Sequence, residues 1–213
     1  MTFAVCALAA AFVAGWWWGQ RPVPTPPPPV IDGFLRPLLP VMEPFELRDF
    51  DGRPFDLRAL AGHWTLLTFG YTRCAEPCAP LLHAFSTLRT EVAARLPGEA
   101  RIEAWFVSID AARDAPARLR DFLHEIDPAL RGATAPPEAL HLLTRQLGVQ
   151  VMKIGGDAPE DYWFEFPAVV LLIAPDVRPV GEFLPPFDAR DVADRILRIA
   201  DYLAHRNGRN RPD

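Results

Sequence analysis

The sequence predicts an α/β fold, a central sheet flanked by helices and preceded by an N-terminal β-hairpin. Three observations carry that reading. Short apolar, β-prone runs alternate with stretches of helical periodicity from Trp64 onward. Two further runs, Ala168–Ile173 and Val177–Phe183, stand next to each other near the end, as a terminal strand pair would. The composition is globular: of 213 residues, 50% are apolar and 23% charged, enough for one sizeable core. The same numbers exclude a chain held open by high charge and low hydrophobicity. A formal charge of −5 leaves no basic footprint for nucleic acid, and three cysteines are too few for a disulfide-built scaffold.

Taken in order, the chain opens with an apolar run without charge, Thr2 to Trp18. Helical, it would rise ~26 Å, close to the ~30 Å hydrocarbon core of a bilayer. Trp16, Trp17 and Trp18 end it where an interfacial aromatic belt would sit. No basic region precedes it and no small-x-small site follows, so residues 1–20 read as a single-pass transmembrane anchor rather than a cleaved signal peptide. Cys6 inside it is a small apolar filler. Arg21 follows the run and no Lys or Arg precedes it, so charge does not orient the anchor.

Residues 21–40 read as a proline-rich linker. Six of the 24 prolines fall between Arg21 and Val30, a composition that favours an extended polyproline spacer. The folded domain is placed at 41–205, and the polar stretch 206–213 is expected to fray.

Within the domain, Phe45–Phe50 and Arg53–Leu57 flank Asp51-Gly52, a hairpin signal. Trp64–Phe69 and Ile102–Ile109 read as buried strands. Leu81, Leu82, Phe85, Leu88 and Val92 recur at helical spacing until Pro97-Gly98. Pro116–Ile126 and Pro137–Leu147 read as helices opening on a proline, which the first turn tolerates. Val149–Ile154 is a further strand candidate, and Asp188 caps a final helix carrying Val192, Ile196, Ile199 and Leu203 to Ala204.

The chemically informative segment is Cys74-Ala-Glu-Pro-Cys78, between the first buried strand and the helix after it. Sites in such folds gather at the C-terminal ends of strands. A helix N-terminus favours thiolate, and Arg73 adds a cation beside the pair. Thiolates are both the nucleophiles of disulfide exchange and soft ligands for Cu(I). Helical residues four apart have Cβ atoms about 5–6 Å apart, whereas a disulfide needs about 3.8 Å. If the pair oxidises, the Cys74 end must therefore be loop. Two inert buried thiols are the plain alternative. Structural zinc is disfavoured, since it wants four ligands and no second Cys or His pair stands at ligand spacing.

Phe69-Gly-Tyr-Thr-Arg-Cys-Ala-Glu-Pro-Cys-Ala-Pro80 resembles the FGYTxCPxxCP signature of the Sco/SenC family, and Phe106-Val-Ser-Ile-Asp-Ala-Ala-Arg-Asp-Ala-Pro116 is similar to its FVSxDPxRDTP segment. The likeness runs from about Glu43 to Leu203. It implies a thioredoxin-like fold on a membrane anchor and a role assisting copper delivery to cytochrome c oxidase. It implies copper held at Cys74 and Cys78, a cytochrome oxidase subunit or another copper chaperone as partner, and a domain on the periplasmic (non-cytoplasmic) side.

The sequence also departs from the family. Ala75 stands where the family has Pro, Pro77 precedes Cys78, and the next proline is one place late at Pro80. Family members carry Tyr-x-x-Asp-His-Ser/Thr, whose His is the third copper ligand. The corresponding run here is Tyr162-Trp-Phe-Glu-Phe-Pro167, so Phe166 occupies the His place. Pro167 resembles the cis-proline position of thioredoxins. His63, His124, His141 and His205 lie elsewhere in the chain, and His83 is ~140° around the helix from Cys78. Asp110, Arg113 and Asp114 read as a salt-bridged loop. Three functions follow: a Sco-like factor binding Cu(I) through Cys74 and Cys78, a copper-independent thiol–disulfide oxidoreductase using them as a redox dithiol, or a degenerate member that only binds partners.

Overall fold

A computed structural model describes residues 30–35, 37–74, 78–158 and 160–209. The predicted anchor and most of the proline-rich linker lie outside the described residues, and none of the described helices is long and apolar enough to cross a membrane.

The hairpin is β1 (Leu47–Asp49) and β2 (Pro54–Phe55), turned at Gly52 with φ +80°. A short helix α1 (Leu57–Leu60) follows, capped by the Asp56 carboxylate, which accepts from Arg58 N and Ala59 N. Next come β3 (Trp64–Gly70), α2 (Cys78–Ala93), β4 (Ile102–Ser108), α3 (Pro116–Ile126), β5 (Arg131–Thr134) and α4 (Pro137–Gln146). The chain closes with β6 (Met152–Gly155), β7 (Tyr162–Glu165), β8 (Val170–Ile173), β9 (Pro179–Phe183) and α5 (Ala189–Arg209).

Seven strands form one mixed sheet in the order β2-β1-β5-β4-β3-β8-β9. Its centre is parallel, with Leu66 opposite Ala104 and Phe106 opposite Gly132; β8 and β1 join antiparallel on either side. The central strands are buried on both faces, so their residues alternate between two cores. Leu66, Ala104 and Phe106 meet α2, α3 and α5 on one face; Leu67, Phe69, Trp105 and Val107 meet Phe55, Leu60 and α4 on the other. Such a strand reads as a continuous apolar run, as Trp64–Phe69 does.

β5 was not legible in the sequence. Arg-Gly-Ala-Thr has neither alternation nor a β-branched run. Packing places it: a side chain at Gly132 would meet Leu123 at 2.7 Å and Leu119 at 3.0 Å, so glycine lets α3 lie close over the strand. The strand expected at Val149–Ile154 forms as β6, but pairs with β7 in a separate two-stranded sheet.

Two boundaries shift. Packing begins before residue 41: Ile31 and Phe34 are buried in the core, and Phe34 bridges Gly181 of β9. The proline count of the stretch hid this short apolar turn. At the other end, α5 continues through Arg206 to Arg209 instead of fraying from 206, because a helix already anchored by Val192, Ile196, Ile199 and Leu203 extends at one hydrogen bond per residue. Asp188 caps it as read, its carboxylate accepting from Asp191 N at 2.9 Å.

The Phe34 ring is 8% exposed and packs edge-on against Tyr202 at 5.7 Å. Phe34→Ala is expected to lower the unfolding free energy by ~3 kcal/mol, as large-to-small changes in a core do. Denaturant melts check this; an unchanged midpoint would return residue 34 to the linker.

Candidate functional site

β3 ends at Gly70, and the next four residues turn toward helix α2. Cys74 lies in that turn, its N–H bonded to the Tyr71 carbonyl at 3.0 Å, and Cys78 is the first residue of α2. The two are joined as a disulfide with Cα atoms 5.6 Å apart. Both sulfur residues are buried, Cys74 at 7% exposure and Cys78 at 2%. A side chain at Gly70 would strike the Phe106 ring at 2.7 Å and approach Cys78 Sγ at 3.4 Å. The glycine of the Phe69-Gly-Tyr-Thr motif thus leaves room for the second cysteine.

A second segment, the loop after β4, holds the cysteine turn in place. Ile109 N–H donates to the Gly70 carbonyl at 2.9 Å. The carboxylate of Asp114, fully buried, accepts from Thr72 N at 2.9 Å, from the Thr72 hydroxyl at 2.6 Å and from the Ser108 hydroxyl at 2.6 Å. Arg118 Nε donates to Thr72 Oγ1 at 2.7 Å. A buried carboxylate is tolerable because it is so fully hydrogen-bonded.

Asp110 performs the same task toward β7. It pairs with Arg113 and accepts the Tyr162 hydroxyl at 2.9 Å. The Arg113 guanidinium lies over the Tyr162 ring, 3.8 Å from its centroid, and donates to the Tyr162 carbonyl at 3.1 Å. The expected salt-bridged loop is therefore present, but it is turned inward, with Asp110 at 3% exposure. Sequence reading missed Thr72, Ser108 and Tyr162 as its partners. The available signal was a hydroxyl residue, Ser108, closing an otherwise apolar strand.

β7 brings the aromatic run to the cysteines. Tyr71 packs edge-on against Phe164 at 5.5 Å and Phe166 at 6.2 Å. Both phenylalanines rest against the core cluster that contains Cys74 and Cys78. Pro167 is exposed in the connection to β8; the cis peptide among the described residues is Pro185–Pro186, so the cis-proline resemblance at Pro167 is not realised. Trans is the ordinary X-Pro state.

Arg73 is exposed, and its charge reaches Tyr162. The histidines stay apart. His63 is buried near Glu103 at 3.6 Å, His124 packs edge-on against Phe50, His205 meets Asp201, and His83 and His141 are exposed. Among the described residues, no group of three or more His, Cys, Asp or Glu converges on a common point.

A cysteine pair at the end of a central parallel strand, in a mixed sheet with helices on both faces, is a thioredoxin-like arrangement. Within that class the chain belongs to the SCO1/SenC family, whose profile matches residues 36–201. It is 30% identical over 146 residues to the mitochondrial SCO1 homolog of Homo sapiens, covering 68% of this chain and 46% of that one. A Stutzerimonas stutzeri protein named for copper binding is 29% identical over 154 residues, covering 71% and 72%. Arabidopsis thaliana ScoI, solved with copper bound, superposes with TM-score 0.68 at 26% identity, covering 76% of this chain and 100% of that one. Apo Sco1 of Thermus thermophilus gives 0.63 at 28%, covering 81% and 95%. The chain spans about half the length of most of the curated relatives it matches.

Burial raises the Tyr162 phenol above its ordinary value, and the bond to Asp110 and its negative charge raise it further; Arg113 and Arg73 oppose them in part. Phenol is thus the form the fold favours. Its contribution to stability is present below the ordinary value of about 10 and is lost as pH rises through the folded-state value. In a near-ultraviolet titration, the phenolate step removed by Tyr162→Phe should be the most alkaline one, and should move to lower pH in Asp110→Asn. A Tyr162 step at the ordinary value would contradict the clamp.

Proposed function

We propose that this chain is a membrane-anchored Sco/SenC protein that assists assembly of a cytochrome c oxidase copper site through Cys74 and Cys78. The observation that carries the reading is the proximity of the two cysteines in one strand-to-helix turn, walled by Tyr71, Phe164 and Phe166. Reduced, the pair offers two soft thiolates, the donor type that suits Cu(I), and the α2 N-terminus favours the thiolate of Cys78. Copper is then cargo, carried toward an oxidase subunit or received from another copper chaperone. The aromatic wall, with Tyr71 buried and Phe164 and Phe166 half-buried, limits the access of water and hard oxygen ligands to it.

A second reading has its own supporting observation. Phe166 stands where the family resemblance expects a histidine, and a phenyl ring donates nothing to a metal. Two thiolates without that ligand suit disulfide exchange equally well. One cysteine thiolate would attack a partner's disulfide and release one partner thiolate. The other cysteine would then displace the second, closing Cys74–Cys78 and leaving two electrons on the partner; an external thiol reductant of the same compartment restores the pair.

Cu(I) titration of the reduced protein against a strong chelator separates the two. One equivalent held competitively, lost in Cys78→Ser and held more tightly in Phe166→His, is the expected result. No copper retention together with turnover of a disulfide substrate would replace the first reading by the second. Full oxidase assembly supported by the Cys74→Ser, Cys78→Ser double variant would defeat both and leave a partner-binding role.

The apolar run at residues 1–20 supports a single-pass anchor, and the proposed task places the domain on the periplasmic, non-cytoplasmic side. A reporter fused after Asp213 that functions only in an exported compartment should be active. Activity of a cytoplasm-only reporter at that position would reverse the orientation.

A further inference from the structure

We propose that a groove beside the dithiol docks an extended segment, acidic and apolar, of the protein that the dithiol serves. This rests on the reading of Cys74 and Cys78 given above and adds how a partner is held and what chemistry selects it.

The groove has a volume of about 820 Å³ and runs between the loop after β4, helix α4, and strands β6 and β7. Ile109, Ala135, Leu140, Val149, Val151 and Phe164 give it an apolar lining. Four of these six, Ile109, Ala135, Leu140 and Val149, are buried members of the core, so the depression is preformed and asks little reorganisation of a ligand. It leads to the site through one ring: Phe164 lines it and packs on Tyr71, whose carbonyl holds the Cys74 N–H. Asp110 and Tyr162 belong both to the groove and to the contact that ties the loop after β4 to β7.

Charge identifies the occupant. In a protein of net charge −5, the exposed charges on this lining are basic. Arg145 is exposed and makes no ion pair among the described residues. Lys153 sits over the Tyr162 ring at 4.1 Å, and its ion pair among the described residues is with the fully exposed Asp157 at 3.6 Å, a contact that solvent screens. His141 is exposed on the same wall. Among the described residues Asp110 is the one carboxylate of the lining, and it is buried and engaged by Arg113 and Tyr162. Asp157, Glu160 and Asp161 stand outside the lining, at the tip of the β6–β7 hairpin.

Backbone geometry fits an extended ligand. β6 lines the groove and, among the described residues, pairs with β7 alone, which leaves its other edge open. Such an edge accepts an added strand, with alternate side chains entering the apolar lining. Met152 of the lining, 52% exposed, extends apolar surface at this face.

The test uses the full chain in detergent and fluorescein-labelled decapeptides alternating valine with glutamate or valine with lysine. Anisotropy should show the glutamate peptide binding about tenfold more tightly, a gap of ~1.4 kcal/mol that added salt narrows. The exposed pair Arg145→Glu, Lys153→Glu should invert the preference while leaving the Cys74–Cys78 reduction potential and the Cu(I) titration unchanged. Equal binding of the two peptides, or a preference that survives the charge reversal, overturns the proposal. So does a concentration-dependent dimer abolished by the same variant, which would assign the groove to a second copy of the chain. Peptide binding without copper or redox activity would retire the function proposed for the dithiol and keep the groove, and the converse result would do the reverse.

Discussion

Everything at the cysteine site depends on two buried carboxylates, Asp110 and Asp114, four residues apart in the loop after β4. Each faces a different segment. Asp114 gathers the Thr72 amide and hydroxyl, fixing the turn that carries Cys74. Asp110 gathers the Tyr162 hydroxyl and Arg113, fixing the strand that carries Phe164 and Phe166. Burying a carboxylate is costly unless hydrogen bonds and charge compensate it, so each must find these partners or the loop cannot close. The same requirement makes three segments distant in sequence adopt one mutual geometry.

The sheet supplies the platform on which that loop acts. β3 and β4 are parallel neighbours, so their C-terminal ends, Gly70 and Ser108, open side by side. Crossovers in parallel sheets leave turns at those ends, and ligand sites collect there. Glycines at two places let the layers close: Gly70 admits the Phe106 ring and Cys78, and Gly132 admits the leucines of α3. Neither role depends on an unusual backbone angle; both concern the space a Cβ would occupy.

The wall around the dithiol is aromatic and cationic at once. Tyr71, Tyr162, Phe164 and Phe166 form a chain of edge-on contacts, and Arg113 lies against the two tyrosines. A low-dielectric wall raises the cost of any unpaired charge, and the Arg113 guanidinium meets that requirement by pairing with Asp110. Phe166 contributes shape to this wall and no donor atom.

Much of the fold was legible in the residues. Apolar runs at Trp64–Phe69 and Ile102–Ile109, helix-opening prolines at 116 and 137, and the Asp188 cap specify local structure through local chemistry, and α3 forms over the residues read for it. The cysteine pair and the Asp110–Asp114 segment were legible as motifs because their residue types are chemically distinctive. β5 was not, since Arg131–Thr134 has no intrinsic preference and is ordered by a slot between β1 and β4. Nor was the burial of Ile31 and Phe34, which depends on β9 and α5, more than a hundred residues away. Sequence alone thus determined most of the elements, the cysteine pair and the phenylalanine at 166, because each follows from residue identity and near neighbours. Tertiary structure alone decided that Thr72, Ser108 and Tyr162 meet the two aspartates, and that a groove with exposed basic residues reaches Phe164, which packs on Tyr71 of the cysteine turn. Hydrogen-bond partners and shared surfaces are set by which chain segments the sheet brings together, and no local pattern encodes that distance.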